Sequence, residues 1–114
     1  MSRDGQSPLD DLIGACEKIE AFADGCTEQE FRKRALIWSA VAYQMIVLGE
    51  ASKRLDQEIR ARFANIPWKD VIGMRDIVSH KYDTIDLEEL WDTVQRDIPK
   101  LWADLREIQS ALLR

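Results

Sequence analysis

Apolar residues recur along this chain at three- and four-residue steps, the period of a helix that turns one face inward. The first stripe is Leu9, Leu12, Ile13, Cys16, Ile19 and Phe22. Ser7 as N-cap, Pro8 at the first helical position and the carboxylates of Asp10 and Asp11 open it, and Gly25 closes it. Thr27-Glu28-Gln29-Glu30 fits a capping box and predicts a second helix start. From Phe31 through Leu36, Trp38, Val41, Met45 and Leu48 to Leu55 the chain is apolar over more than half of a helical circumference, which predicts one long central helix packed on several sides. Asp56 is placed to cap a short helix over 57–63, and Pro67 to start another over 68 to about 79. Asp86 with Glu89 predicts a further capped start, carrying Leu87, Leu90, Trp91, Val94 and Ile98 on its inner face. Pro99 should kink or restart that helix. Leu101, Trp102, Leu105, Ile108 and Leu112 continue it to the end.

No window alternates with period two, so the predicted class is all-α: an antiparallel bundle of four to five main helices. The 114 residues suit one domain, 1–114 with its core at about 9–110. At that size folding buries about two-thirds of the surface of the unfolded chain. The longest apolar-biased run, 36–49, is too short and too polar for a membrane span, and the first residues lack the apolar core of a secretory signal. Cys16 and Cys26, with a single histidine, are too few for a zinc site or a disulfide framework. A cytoplasmic protein with no membrane partner, metal or cofactor is the expectation.

Sixteen basic against 21 acidic side chains speak at first against a nucleic-acid partner. The charge is segregated, however. Residues 1–31 carry a net −6, residues 32–81 a net +5 and residues 82–114 a net −4. The plain explanation is solvated faces that the fold mixes. The other is a locally positive surface in the middle of the chain, with acidic flanks that limit indiscriminate binding.

The only histidine, His80, lies inside that basic third, in the run Gly73-Met74-Arg75-Asp76-Ile77-Val78-Ser79-His80-Lys81-Tyr82. A lone histidine on a helical protein is ordinarily a surface or packed residue, but this one has Arg75, Asp76, Ser79, Lys81 and Tyr82 around it. Metal-free RNA cleavage needs a base for the 2′-OH proton, an acid for the leaving 5′ oxygen and a cation beside the phosphorane. Histidine titrates near neutrality and suits either proton role, and arginine is the fork-shaped donor that matches phosphate oxygens. On a continuous helix, five residues at about 100° each set Arg75 and His80 about 140° apart. Either the helix unwinds near Ser79 or a second copy supplies the complementary groups.

The Arg75-Asp76-x-x-x-His80-x-Tyr82 pattern, R-x4-H followed by x-Tyr, resembles the signature of HEPN-domain ribonucleases, and specifically of the HepT toxin family. Ile19-Glu20-Ala21-Phe22, Leu48-Gly49-Glu50-Ala51-Ser52-Lys53-Arg54-Leu55, Ile66-Pro67-Trp68, Ile72-Gly73-Met74-Arg75-Asp76 and Asp86-Leu87-Glu88-Glu89-Leu90-Trp91 are similar to HepT segments in the same order. The resemblance implies a HEPN-like helical homodimer whose two Arg/His motifs face each other across a composite cleft. It implies the toxin of a type VII toxin–antitoxin system, a metal-independent ribonuclease acting on mRNA or tRNA and neutralised by an antitoxin of the minimal nucleotidyltransferase (MNT) type. By the same resemblance Arg75 and His80 are catalytic, Asp76 has a supporting role, and Tyr82 receives AMP from the antitoxin. A bulky anion two residues from His80 would occupy the space and charge that an RNA phosphate needs. Relatives often carry an Arg and a Glu where this chain has Tyr43 and Ile46, a departure that bears on the dimer contact or on the partner.

Two other readings compete with this one. The chain could be a non-catalytic helical dimerisation module that docks a nucleotidyltransferase or a nucleotide, with Arg75 and His80 used in binding. It could also be a helical adaptor with no site, which the ordered set of segments disfavours.

Overall fold

Ser7 opens the first helix as its sequence predicts: the side-chain oxygen accepts from the Asp10 N–H at 3.1 Å and Pro8 follows at the first helical position. In the computed structural model the described residues are 7–79 and 85–113, without the side chain of Ser79. Their helices are α1 (Pro8–Ala23), α2 (Glu28–Lys33), α3 (Ala35–Arg54), α4 (Gln57–Arg62), α5 (Trp68–Gly73), α6 (Asp76–Ser79), α7 (Leu87–Asp92) and α8 (Ile98–Leu112). A π-helical stretch, Thr93–Asp97, joins the last two. Among the described residues there is no strand, so the molecule is all-α as predicted.

Helices α1, α3 and α8 form the frame. Arg54 at the end of α3 donates to Asp11 at the start of α1 at 2.9 Å, so these two helices run antiparallel. Leu112, near the end of α8, shares a surface cleft with Pro8 and Leu9, so α8 also runs against α1. Between them Leu12, Cys16 and Ile19 of α1, Val41, Met45 and Leu48 of α3, and Leu105 and Ile108 of α8 are fully buried. Each large aliphatic side chain so buried contributes roughly 1.5–3 kcal/mol relative to exposure. Phe22, expected on the inner stripe of α1, is 37% exposed. Its position is about 100° from the centre of the buried face, and Ala23 closes that face instead.

The long central helix is interrupted. The capping box forms as expected, with the Thr27 hydroxyl accepting from the Glu30 N–H at 3.1 Å and the Glu30 carboxylate from the Thr27 N–H at 2.9 Å. The Thr27 N–H first, and then the Thr27 hydroxyl, hold the Glu30 carboxyl below its ordinary pKa. Four residues after Glu30, Arg34 leaves helical geometry, with φ −105° and ψ 89°. The break lets Phe31 turn into the core, where its ring lies 5.1 Å from that of Trp91. Meanwhile α3 follows α1 and packs against α5 and α6 on its other side. Just past the break Leu36 is 90% exposed. By length and composition α3 is the one helix among the described residues that could cross a membrane, although its apolar run is diluted by Ser39, Tyr43 and Gln44. Val41, Met45, Leu48 and Ala51 on it are fully buried.

Asp56 does not cap α4 through its side chain, as the sequence suggested; its backbone carbonyl accepts instead, from Ile59 at 3.0 Å and Arg60 at 3.1 Å. Asp86 does cap α7, accepting from the Glu89 N–H at 3.0 Å. Pro99 takes the second position of α8, and the π-helical stretch lies directly before it. Proline has no N–H to give, and in a continuous α-helix its ring would meet the carbonyl four residues back, that of Gln95. The wider turn relieves that crowding.

Candidate functional site

The segment expected to run as one helix from Trp68 towards Ser79 is two helices, α5 and α6, with Met74 and Arg75 between them. Met74 N–H donates to Val71 O at 3.1 Å, Ile77 to Met74 at 3.2 Å and Val78 to Arg75 at 3.2 Å, the three-residue spacing of a tightened turn. Gly73, which costs a helix interior about 1 kcal/mol relative to alanine, ends α5. The figure of 140° between Arg75 and His80 assumed a continuous helix, and the chain is not one at Arg75.

Arg75 is turned onto α3. Its Nη1 donates to Glu50 Oε2 at 2.6 Å, and its Nε lies 3.8 Å from Asp76 Oδ1, within ion-pair range but beyond a hydrogen bond. The side chain is 32% exposed, so it is only partly covered by α3. This arrangement depends on Gly49. A β-carbon there would stand 2.8 Å from the Ile72 carbonyl oxygen, 3.0 Å from Arg75 Cβ and 3.2 Å from Arg75 Cγ. The missing side chain lets the α5–α6 turn lie directly on α3, and Glu50, the next residue, then reaches the guanidinium.

Of the residues the sequence singled out, the structure brings Arg75 and Asp76 together. His80, Lys81 and Tyr82 lie outside the described residues. Gly49 and Glu50 lie in one of the HepT-like segments, and nothing in their sequence neighbourhood ties them to Arg75. Their signal is tertiary: Glu50 and Arg75 are 25 residues apart and no local pattern links them.

A groove among the described residues borders the same turn through Gly73, Met74 and Ile77. It holds about 440 Å³ between α5 and α8, with Val71, Met74 and Leu101 on its floor and Lys69, Asp97 and Lys100 among its polar residues. Arg75 does not line it. Cys16 offers no chemistry: burial, followed by the nearby charges of Glu20 and Glu17, pushes its thiol up to about 12, so it remains protonated. Carboxylates from the acidic beginning of the chain offset two charges of the basic middle, since Arg32 pairs with Glu28 and Arg54 with Asp11, while Arg75 pairs with Glu50 inside that middle.

The ribonuclease HepT-like family matches residues 12–108 of this chain. Among similar proteins, one from Methanocaldococcus jannaschii named "Putative RNase MJ1380" is 34% identical over 99 residues, covering 87% of this chain and 91% of that protein. One from Thermococcus cleftensis named "Probable ribonuclease HepT" is 34% identical over 110 residues, covering 96% of this chain and all of that protein. A third, "Gamma-glutamylcyclotransferase and putative RNase MJ0434" from Methanocaldococcus jannaschii, is 35% identical over 112 residues, and this chain spans half of its length. No solved structure is a significant match.

Proposed function

The chain belongs to the HepT-like ribonuclease family, and on that premise we propose that it is the toxin of a toxin–antitoxin pair, a ribonuclease that cleaves RNA without a metal through Arg75 and His80. The observation that carries this reading is the placement of Arg75. It sits on a turn rather than inside a helix, is anchored by Glu50 through Nη1, and keeps its side chain 32% exposed. A guanidinium so held is prepared for a charge that grows during reaction, and such preorganised electrostatics are ordinarily the largest catalytic contribution. In this mechanism a base removes the 2′-OH proton, the 2′ oxygen attacks phosphorus, and the 5′ oxygen leaves with a proton from an acid. His80 fills one or both proton roles, Arg75 stabilises the phosphorane, and Asp76 supports Arg75.

With one histidine per chain, separate acid and base imply two chains. A feature of α3 supports a homodimer. Leu36, Ala40, Tyr43 and Val47 recur at heptad spacing along α3; Leu36 and Tyr43 are exposed, Ala40 and Val47 half-buried, and the next position in the series is the exposed Glu50. A second copy covering that seam would bring two Arg75 sites near one interface. Regulation follows the family pattern: an MNT-type nucleotidyltransferase transfers AMP to Tyr82 and blocks the site.

The test is incubation of purified protein with tRNA and mRNA in EDTA, beside His80→Ala and Arg75→Ala variants of matched helicity. Cleavage by the wild type and its loss by at least a hundredfold in both variants is the expected result, since general acid–base groups contribute about 10²–10⁴-fold. Intact RNA would leave the non-catalytic binding module as the reading, and equal cutting by wild type and variants would overturn cleavage through Arg75 and His80. After co-expression with the nucleotidyltransferase, a mass gain in AMP units should map to Tyr82 and vanish in Tyr82→Phe.

A further inference from the structure

We propose that Glu50 is a positioning residue for Arg75, holding the guanidinium in the orientation that stabilises the phosphorane; this rests on the ribonuclease reading. The Glu50–Arg75 bond joins two residues 25 apart in the chain, and the glycine beside Glu50 leaves room there for the Ile72 carbonyl and the Arg75 side chain, which a β-carbon would meet at 2.8 and 3.0 Å. The pair is short, at 2.6 Å, yet both side chains are substantially exposed, 32% for Arg75 and 52% for Glu50.

An ion pair this exposed contributes little to folding. Its value lies in what it does to the arginine. A free arginine side chain samples many rotamers, and a misplacement of about 1 Å in a catalytic group can cost on the order of 10²-fold in rate. Glu50 takes one nitrogen of the fork, and Asp76 stands near the Nε edge, so the guanidinium is bounded by carboxylates from two directions. The remaining N–H groups are those available to a phosphate.

The same carboxylate repels an RNA phosphate in the ground state. Glu50 is therefore expected to favour turnover at the expense of binding, a division that a purely structural ion pair would not produce. Without it, the arginine carries more uncompensated charge and meets the phosphorane less well oriented.

The experiment measures RNA cleavage by wild type, Glu50→Ala and Glu50→Gln, together with affinity for an uncleavable 2′-O-methyl RNA. Glu50→Ala is expected to lower kcat by about ten- to a hundredfold with KM and the affinity for 2′-O-methyl RNA unchanged or improved. Glu50→Gln, which keeps an acceptor oxygen for Arg75 Nη1, should remain within about fivefold of wild type in kcat. Glu50→Ala within twofold of wild type in kcat, or Glu50→Ala weakening RNA binding with kcat intact, overturns this assignment alone. Wild-type protein that leaves RNA intact overturns the ribonuclease reading and this assignment together.

Discussion

Arg75 could be picked out from its neighbours in the chain, but its partners could not. The motif around it is local, whereas Gly49 and Glu50 act on it through a packing contact that no periodicity encodes. Gly49 lends itself to a direct test. Alanine there would gain about 1 kcal/mol of helix propensity, but its β-carbon would meet the Ile72 carbonyl at 2.8 Å, and relieving an overpacked contact of this kind costs typically 1–3 kcal/mol. The atom in the way is backbone and cannot swing aside as a side-chain tip can. Gly49→Ala should therefore lose stability in urea unfolding and displace the turn that carries Arg75, lowering cleavage as well. Gly14 in α1 has nothing within 4 Å of a built β-carbon, so Gly14→Ala should be neutral or stabilising in the same measurement. A Gly49→Ala protein as stable as wild type would refute the close contact.

At the scale of elements, the signals that proved reliable are those in which a side chain serves a backbone group three residues away. Ser7, Thr27 and Asp86 all make their expected capping bonds. Asp56 stands at a similar helix start and makes none. The difference predicts a contrast: Asp86→Ala should cost about 1 kcal/mol and Asp56→Ala less than about 0.5 kcal/mol, both read from denaturant midpoints. Equal losses would mean that Asp56 caps in solution after all. Helix continuity was less legible. The apolar pattern continues through Arg34 and through Met74, yet the chain breaks at both, because Phe31 gains a place against Trp91 and the α5–α6 turn a seat on Gly49. Pro99 was a readable irregularity, although its resolution as a π-helical stretch rather than a kink depends on how α7 and α8 are both held on the core.

Across the whole molecule the three charge blocks of the chain do not survive as three surfaces. Asp11 of the acidic beginning pairs with Arg54 of the basic middle, and Arg75 is matched by Glu50 within that middle. The outward seam of α3 is the feature that a single copy leaves unexplained, with Tyr43 62% exposed at its centre. If a second copy covers it, Tyr43→Glu places a charge in the contact and should weaken association by about 2 kcal/mol, roughly thirtyfold in Kd. Sedimentation equilibrium would show wild-type dimer and variant monomer at the same concentration, with unchanged helicity. A wild-type monomer at tens of micromolar would remove the dimer from the proposal.

The sequence by itself determined the helical class, most helix starts and the run that carries Arg75, because these depend on hydrophobic period and on bonds spanning three or four residues. Only the tertiary structure decided where the long helices break, which apolar residues stay outside, and that Glu50 holds Arg75. Those outcomes depend on surfaces brought together from distant parts of the chain, where the fit of one backbone against another, as at Gly49, outweighs local preference.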